Sequence, residues 1–99
     1  MTQSNEKKYV IVRSNYAGCF AGFLEQRNGQ EVVLKNARRL WMWHGAASLS
    51  QLAMEGTKLP EKCKFPCEVD RVEVLDVIEI LDVTEAARLS ILSVPVWSA

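Results

Sequence analysis

Residues 7–36 read KKYVIVRSNYAGCFAGFLEQRNGQEVVLKN, and the punctuation of this stretch decides the fold class. Lys7 to Arg13 is short and rich in β-branched and aromatic residues, which reads as a strand. Ser14-Asn15 interrupts it, and a second strand follows from Tyr16 to Arg27. Gly18 and Gly22 within that strand predict a bulge or a close approach of another backbone. Asn28-Gly29 is a strong hairpin signal, because a type I′ turn needs positive φ at both central residues. The return strand is Gln30 to Asn36. Three antiparallel strands in a meander result.

Outward from the meander, Ala37 to His44 (ARRLWMWH) alternates large side chains with a period of two. Leu40 and Met42 share one parity, and Arg39, Trp41 and Trp43 share the other, which predicts a fourth strand with an aromatic face. Gly45 ends that pattern. Ser48 is an N-cap candidate and Gly56 a C′ candidate, predicting a helix over Ser48–Glu55. A loop with Pro60 and Pro66 carries Cys63, Phe65 and Cys67. Glu68 to Val83 is a second β segment whose apolar parity changes near Leu75-Asp76, so a bulge or a break belongs there. Thr84 caps a final helix that Pro95 stops. The order predicts an α+β domain, an antiparallel sheet or meander with two short helices, the second C-terminal. One domain over residues 1–99 is expected, with residues 1–6 a loose N-terminal tail.

Ninety-nine residues with 48% apolar and 24% charged content describe an ordinary globular chain. At this length roughly 65% of the unfolded surface can be buried, enough for a modest core. The longest nearly apolar stretch, Tyr16 to Leu24, is far short of the about 20 residues a membrane-spanning helix needs. The N-terminus lacks a signal-peptide profile, and three cysteines without a leader predict reduced thiols in a cytosol. Formal net charge is zero, which argues against a non-specific nucleic-acid binder. The charge is nonetheless split. Residues 1–64 hold ten Lys or Arg against five Glu, and residues 65–99 hold two Arg against seven acids. That split predicts either an anion site in the first two thirds or subunits meeting through opposite charges.

Catalysis finds little support. His44, the single histidine, has no nucleophile or paired carboxylate nearby in the sequence. Cys63 and Cys67 flank Pro66 with no second cysteine pair, so neither a structural metal site nor a cofactor is expected. The segment Asn36 to Ser48, NARRLWMWHGAAS, is more informative. One arginine of the pair shares the face of Trp41 and Trp43, and a guanidinium beside exposed rings suits a phosphate next to a base. Gly45, Ala47 and Ser48 lie on small, unhindered backbone entering a helix, where N–H groups receive anions.

Beyond composition and spacing, YVIVRSNYAGCFAGFLEQRNGQEVVLKNARRLWMWHGAASLSQLAMEGT, followed by PEKCKF and DVIEILDVTEAA, resembles a small family of phage proteins, the Thoeris anti-defence sponges. The likeness runs from about Tyr9 to Trp97, and NARRLW with GAASLSQLA forms its core. Met42 stands where tyrosine is common in that family. The resemblance implies a non-enzymatic protein of the infected bacterium's cytoplasm. Such a protein binds and sequesters the cyclic ADP-ribose isomers made by TIR-domain defence enzymes. Some members also hold the cyclic oligonucleotides of CBASS defence at a separate site, and they assemble as dimers that build hexamers. Arg38, Arg39, Trp41, Trp43, Gly45, Ala47, Ser48, Phe65 and Tyr16 are the candidate ligand-binding residues. Arg88 is the candidate for the second, cyclic-oligonucleotide site, with pairing to Glu85 or Asp82 as the alternative role. The competing readings are a phage structural or interaction protein that docks a partner through its aromatic patch, and a small nucleotide-processing enzyme.

Overall fold

The computed structural model describes residues 7–99; the loose tail expected at residues 1–6 lies outside them. β1 (Tyr9–Ser14) is an almost continuous apolar run because both of its faces are covered. Val10 and Val12 enter one core, and Tyr9 and Ile11 enter another. β2 (Cys19–Asn28) and β3 (Glu31–Arg39) complete the meander. Their turn differs in detail from expectation. Its two loop residues are Gly29 and Gln30, and only Gly29 takes a positive φ, 63°. Glycine at the first central position is the type II′ pattern, so the turn lies one residue later than a type I′ Asn-Gly pair would place it. Gly22 makes the close approach expected of it: a Cβ there would lie 2.9 Å from that of Ala37, and the β2–β3 register shifts beside it.

The expected fourth strand does not form as such. β3 absorbs Ala37–Arg39, and beyond it only Met42 makes an isolated bridge, to Lys64. The reason is competition for the edge. β4 (Val69–Val74) already pairs with β3 along Val32–Ala37, and Leu40 is buried with its N–H bonded to the Cys19 carbonyl. α1 (Leu49–Glu55) follows, capped by the Ser48 hydroxyl and ended at Gly56. A single 3₁₀ turn, Pro60–Lys62, lies in the loop. β5 (Val77–Asp82) and α2 (Glu85–Ser93), capped by the Thr84 hydroxyl, complete the chain.

The sheet order is β4-β3-β2-β1-β5, with every pairing antiparallel. The break near Leu75-Asp76 therefore carries the chain from one edge of the sheet to the other. In a flat sheet of five strands those edges would lie about 19 Å apart. Three residue steps span at most about 11 Å. The sheet must coil, and it becomes a partly closed barrel. Asn15 N–H donates to the Asp76 carbonyl at 3.1 Å and Val77 N–H to the Gln30 carbonyl at 2.9 Å, fastening the corner to both neighbouring loops. Val10, Val12, Phe20, Val32, Leu34, Ala37, Val74 and Val77 fill the barrel. The opposite face of the sheet packs with α1 and α2 around Ile11, Leu52, Phe65 and Ile91.

The charge split is answered within the chain. Lys8 bridges Asp82 and Arg13 bridges Glu79 across the β1–β5 pair, because the basic first strand and the acidic fifth strand are neighbours. No helix among the described residues is long and apolar enough to cross a membrane.

Candidate functional site

Arg38 and Arg39 are adjacent in sequence, and the pleat of β3 sends them to opposite faces. Arg38 turns to the helix side and is 4% exposed. All five of its N–H groups meet backbone carbonyls: Pro66 from Nε, Ile91 and Val94 from one terminal nitrogen, Phe65 and Pro95 from the other. Its guanidinium carbon also lies 5.5 Å from the centre of the Phe65 ring. Burial lowers its pKa from the ordinary arginine value. Arg38 and Phe65, both expected to touch ligand, are thus corrected to parts of the fold. Arg38 fastens the end of α2 and the Phe65 loop to the sheet, and Phe65 is wholly buried. Nearby, the Tyr9 hydroxyl is buried with no hydrogen-bond partner. Burial, with a contribution from Glu68, pushes its pKa up to about 12.

Arg39 faces the barrel side, its guanidinium carbon 4.4 Å from the centre of the Phe20 ring. One N–H donates to the Ala17 carbonyl at 2.5 Å, and it forms no salt bridge among the described residues. It lines a cavity of about 500 Å³ at the barrel mouth, with Tyr16, Ala17, Phe20, Val72, Glu73, Val74, Leu75 and Asp76. Tyr16, 89% exposed, stands at its rim.

Trp41 goes elsewhere. Regular strand geometry ends at Arg39, so the parity that would have kept Trp41 beside it lapses. Trp41 is 62% exposed and stacks on Trp97, with ring centres 6.2 Å apart and planes 12° from parallel. The Lys64 ammonium lies 5.5 Å from the Trp97 ring centre. Trp97 arrives through a parallel bridge of Val96 to Phe65, its N–H donating to the Phe65 carbonyl at 3.0 Å. Lys64 arrives through the Met42 bridge. Trp97 and Lys64 were missing from the candidate set. They lie 56 and 23 positions from Trp41 in the sequence, and nothing local announces either pairing.

Trp43 is half-buried against the helix-side core and is no part of this stack. Gly45 serves a tight turn: its φ is 84°, its carbonyl accepts from Lys58 N–H, and a Cβ would lie 2.5 Å from the Leu59 nitrogen. The helix start is also occupied from within. Ala47 N–H donates to the Gln51 side-chain oxygen at 2.7 Å, and Gln51 N–H donates to the Ser48 hydroxyl at 3.1 Å. Ala47 and Ser48 thus serve the start of α1, where the segment's own side chains take two of the N–H groups left over at a helix start, and Gly45 closes the turn before it. Arg88 makes two bonds to Glu85, 3.0 and 2.7 Å, at i,i+3 spacing. This contact raises the arginine's pKa and lowers the carboxyl's.

The candidate residues thus fall into two surface sites: the Trp41–Trp97–Lys64 stack and the Arg39–Tyr16 barrel mouth. The profile of a family described only as a domain of unknown function matches residues 7–91. No curated protein and no solved structure matches the chain.

Proposed function

The chain belongs to the DUF6948 family, and from that premise we propose that it is a binding protein that captures a cyclic nucleotide signal without cleaving it. The exposed Trp41–Trp97 stack with its adjacent Lys64 ammonium carries this reading. A pre-formed indole platform offers a base about 1–3 kcal/mol of stacking, and a lysine at its side supplies the point charge a phosphate needs. The likeness of NARRLW and GAASLSQLA to the Thoeris anti-defence sponges makes cyclic ADP-ribose isomers the first ligands to try, and the cytoplasm of an infected bacterium the setting. Of the two arginines in that motif, only Arg39 is available to a ligand.

The test is capture and release. The protein is incubated with a cyclic ADP-ribose isomer, freed of unbound ligand and heated, and the supernatant is analysed. Intact ligand supports sequestration, altered ligand makes the protein an enzyme, and no ligand refutes the reading. The second site proposed at Arg88 would have to draw that arginine away from Glu85. Arg88→Glu should then abolish cyclic-trinucleotide binding and spare the ADP-ribose isomer; loss of both or neither would remove it.

One observation favours a protein-binding role as well. Leu89, Leu92 and Val96 are exposed along and just beyond α2, an apolar stripe of the kind that meets another protein surface. We take the partner to be further copies of the same chain, dimers that build hexamers. Light scattering showing a monomer at micromolar concentration would contradict this.

A further inference from the structure

The cavity at the barrel mouth has a charge pattern unlike that of a phosphate site, and it is independent of the Trp41–Trp97 stack. Its floor and walls are apolar: Phe20, Val72, Val74 and Leu75. Leu75 and Tyr16 are strongly exposed at the rim, where the corner between β4 and β5 faces the β1–β2 loop. Within this apolar frame stand one cation, Arg39, and one anion, Asp76; the Glu73 side chain alternates to the outer face of β4, where it bonds Arg71 at 2.9 Å. Arg39 is held in place by the Phe20 ring and the Ala17 carbonyl. With one of its five N–H donors so used and no salt bridge, its remaining donors are open. Asp76 accepts from Tyr16 N–H at 3.0 Å. The Asp76 carboxylate keeps further lone pairs, since an ionised carboxylate has about four acceptor sites.

A polyphosphate placed here would meet a carboxylate beside its one guanidinium, and like charges at close quarters reject a ligand. A purely apolar molecule would leave two charged groups facing its surface. The group that answers both and the apolar walls carries a carboxylate, an ammonium and an apolar body. We infer that the barrel mouth binds a small zwitterion of the α-amino acid class with a large apolar or aromatic side chain. The carboxylate bonds Arg39, the ammonium faces Asp76, and the side chain lies on Phe20 and Val72. A volume of about 500 Å³ falls in the range of small-molecule sites.

Calorimetric titration with L-phenylalanine, N-acetyl-L-phenylalanine and L-phenylalaninamide tests the assignment on the full chain. Saturable binding of L-phenylalanine at millimolar concentrations is expected, at least tenfold weaker for each blocked analogue. Arg39→Gln should weaken L-phenylalanine at least tenfold, and Leu75→Ala should weaken it several-fold; both residues are exposed, so the melting temperature serves as a check on folding. Trp41→Ala should leave this binding unchanged. No saturable binding of L-phenylalanine overturns the proposal. So does equal binding of either blocked analogue, or full affinity in a folded Arg39→Gln protein.

Discussion

Replacing Arg38 by methionine keeps the length of the side chain and removes every donor. Three of its bonds, to the carbonyls of Ile91, Val94 and Phe65, are buried, at 3.0, 2.9 and 2.8 Å. Bonds from a charged donor contribute about 1.5–3 kcal/mol each, so the gross loss is about 5–9 kcal/mol. Two of these carbonyls keep a second partner, Ile91 from Val94 N–H and Phe65 from Trp97 N–H; the Val94 carbonyl has none among the backbone contacts. Against the loss stands the relieved desolvation of a buried cation, itself several kcal/mol. A net destabilisation of about 3 kcal/mol remains, a large share of the 5–15 kcal/mol typical of a domain. In a chain of this length that lowers the melting temperature by roughly 12–24 °C. The tail should loosen first, since Arg38 joins it to the sheet, so tryptophan fluorescence should change ahead of far-ultraviolet circular dichroism. Arg38→Lys, with three donors for five carbonyls, should restore only part of the loss. A methionine variant that melts within about 2 °C of the parent would refute this account of Arg38.

Three further outcomes are expected. Tyr9 holds its proton to about pH 12 in the folded chain, against an ordinary value of 10.0. Its contribution to stability is therefore full below pH 10 and lost as pH rises towards 12, by about 2–3 kcal/mol; denaturant titrations of Tyr9→Phe should lack that decline and show no loss at pH 7. Trp41→Ala and Lys64→Ala should each weaken capture of a cyclic ADP-ribose isomer, the former about tenfold, with melting temperature unchanged; unaltered capture in both would remove the stack from the site. Gly45→Ala forces a Cβ to 2.5 Å from the Leu59 nitrogen at a positive φ, so thermal melting should drop by several degrees, and an unchanged melt would contradict the tight turn.

What was legible in the sequence was local. The Ser48 and Thr84 caps, the hairpin at residues 28–30 and the break at Leu75-Asp76 each depend on residues a few positions apart, and all appear in the structure. The coiling of the sheet was not legible, because it depends on which edge β5 joins, and a break in parity does not say where the chain goes next. The Arg-Arg pair shows the same limit at the site. Alternation separates Arg38 from Arg39, yet only the arrival of the α2 terminus and the Phe65 loop makes Arg38 structural. Trp41 kept its expected exposure and lost its expected neighbour, since the strand ended two residues too soon for parity to govern it.

The single run from Val69 to Asp82 also sets the two seams of the barrel in one reading frame. Its first half is phased against β3, Val72 opposite Leu34, and its second against β1, Ile80 opposite Val12. With only Leu75 and Asp76 between them, adding or removing one residue at the corner cannot be absorbed there. It would exchange the faces of β5, turning Ile80 out of the barrel and Leu81 into it, away from the helix side that Leu81 now covers. Length at this corner is therefore constrained in whole pleats: Leu75 faces solvent, so the fold accepts another side chain there as long as the count is kept, and only the cavity beside it feels the exchange.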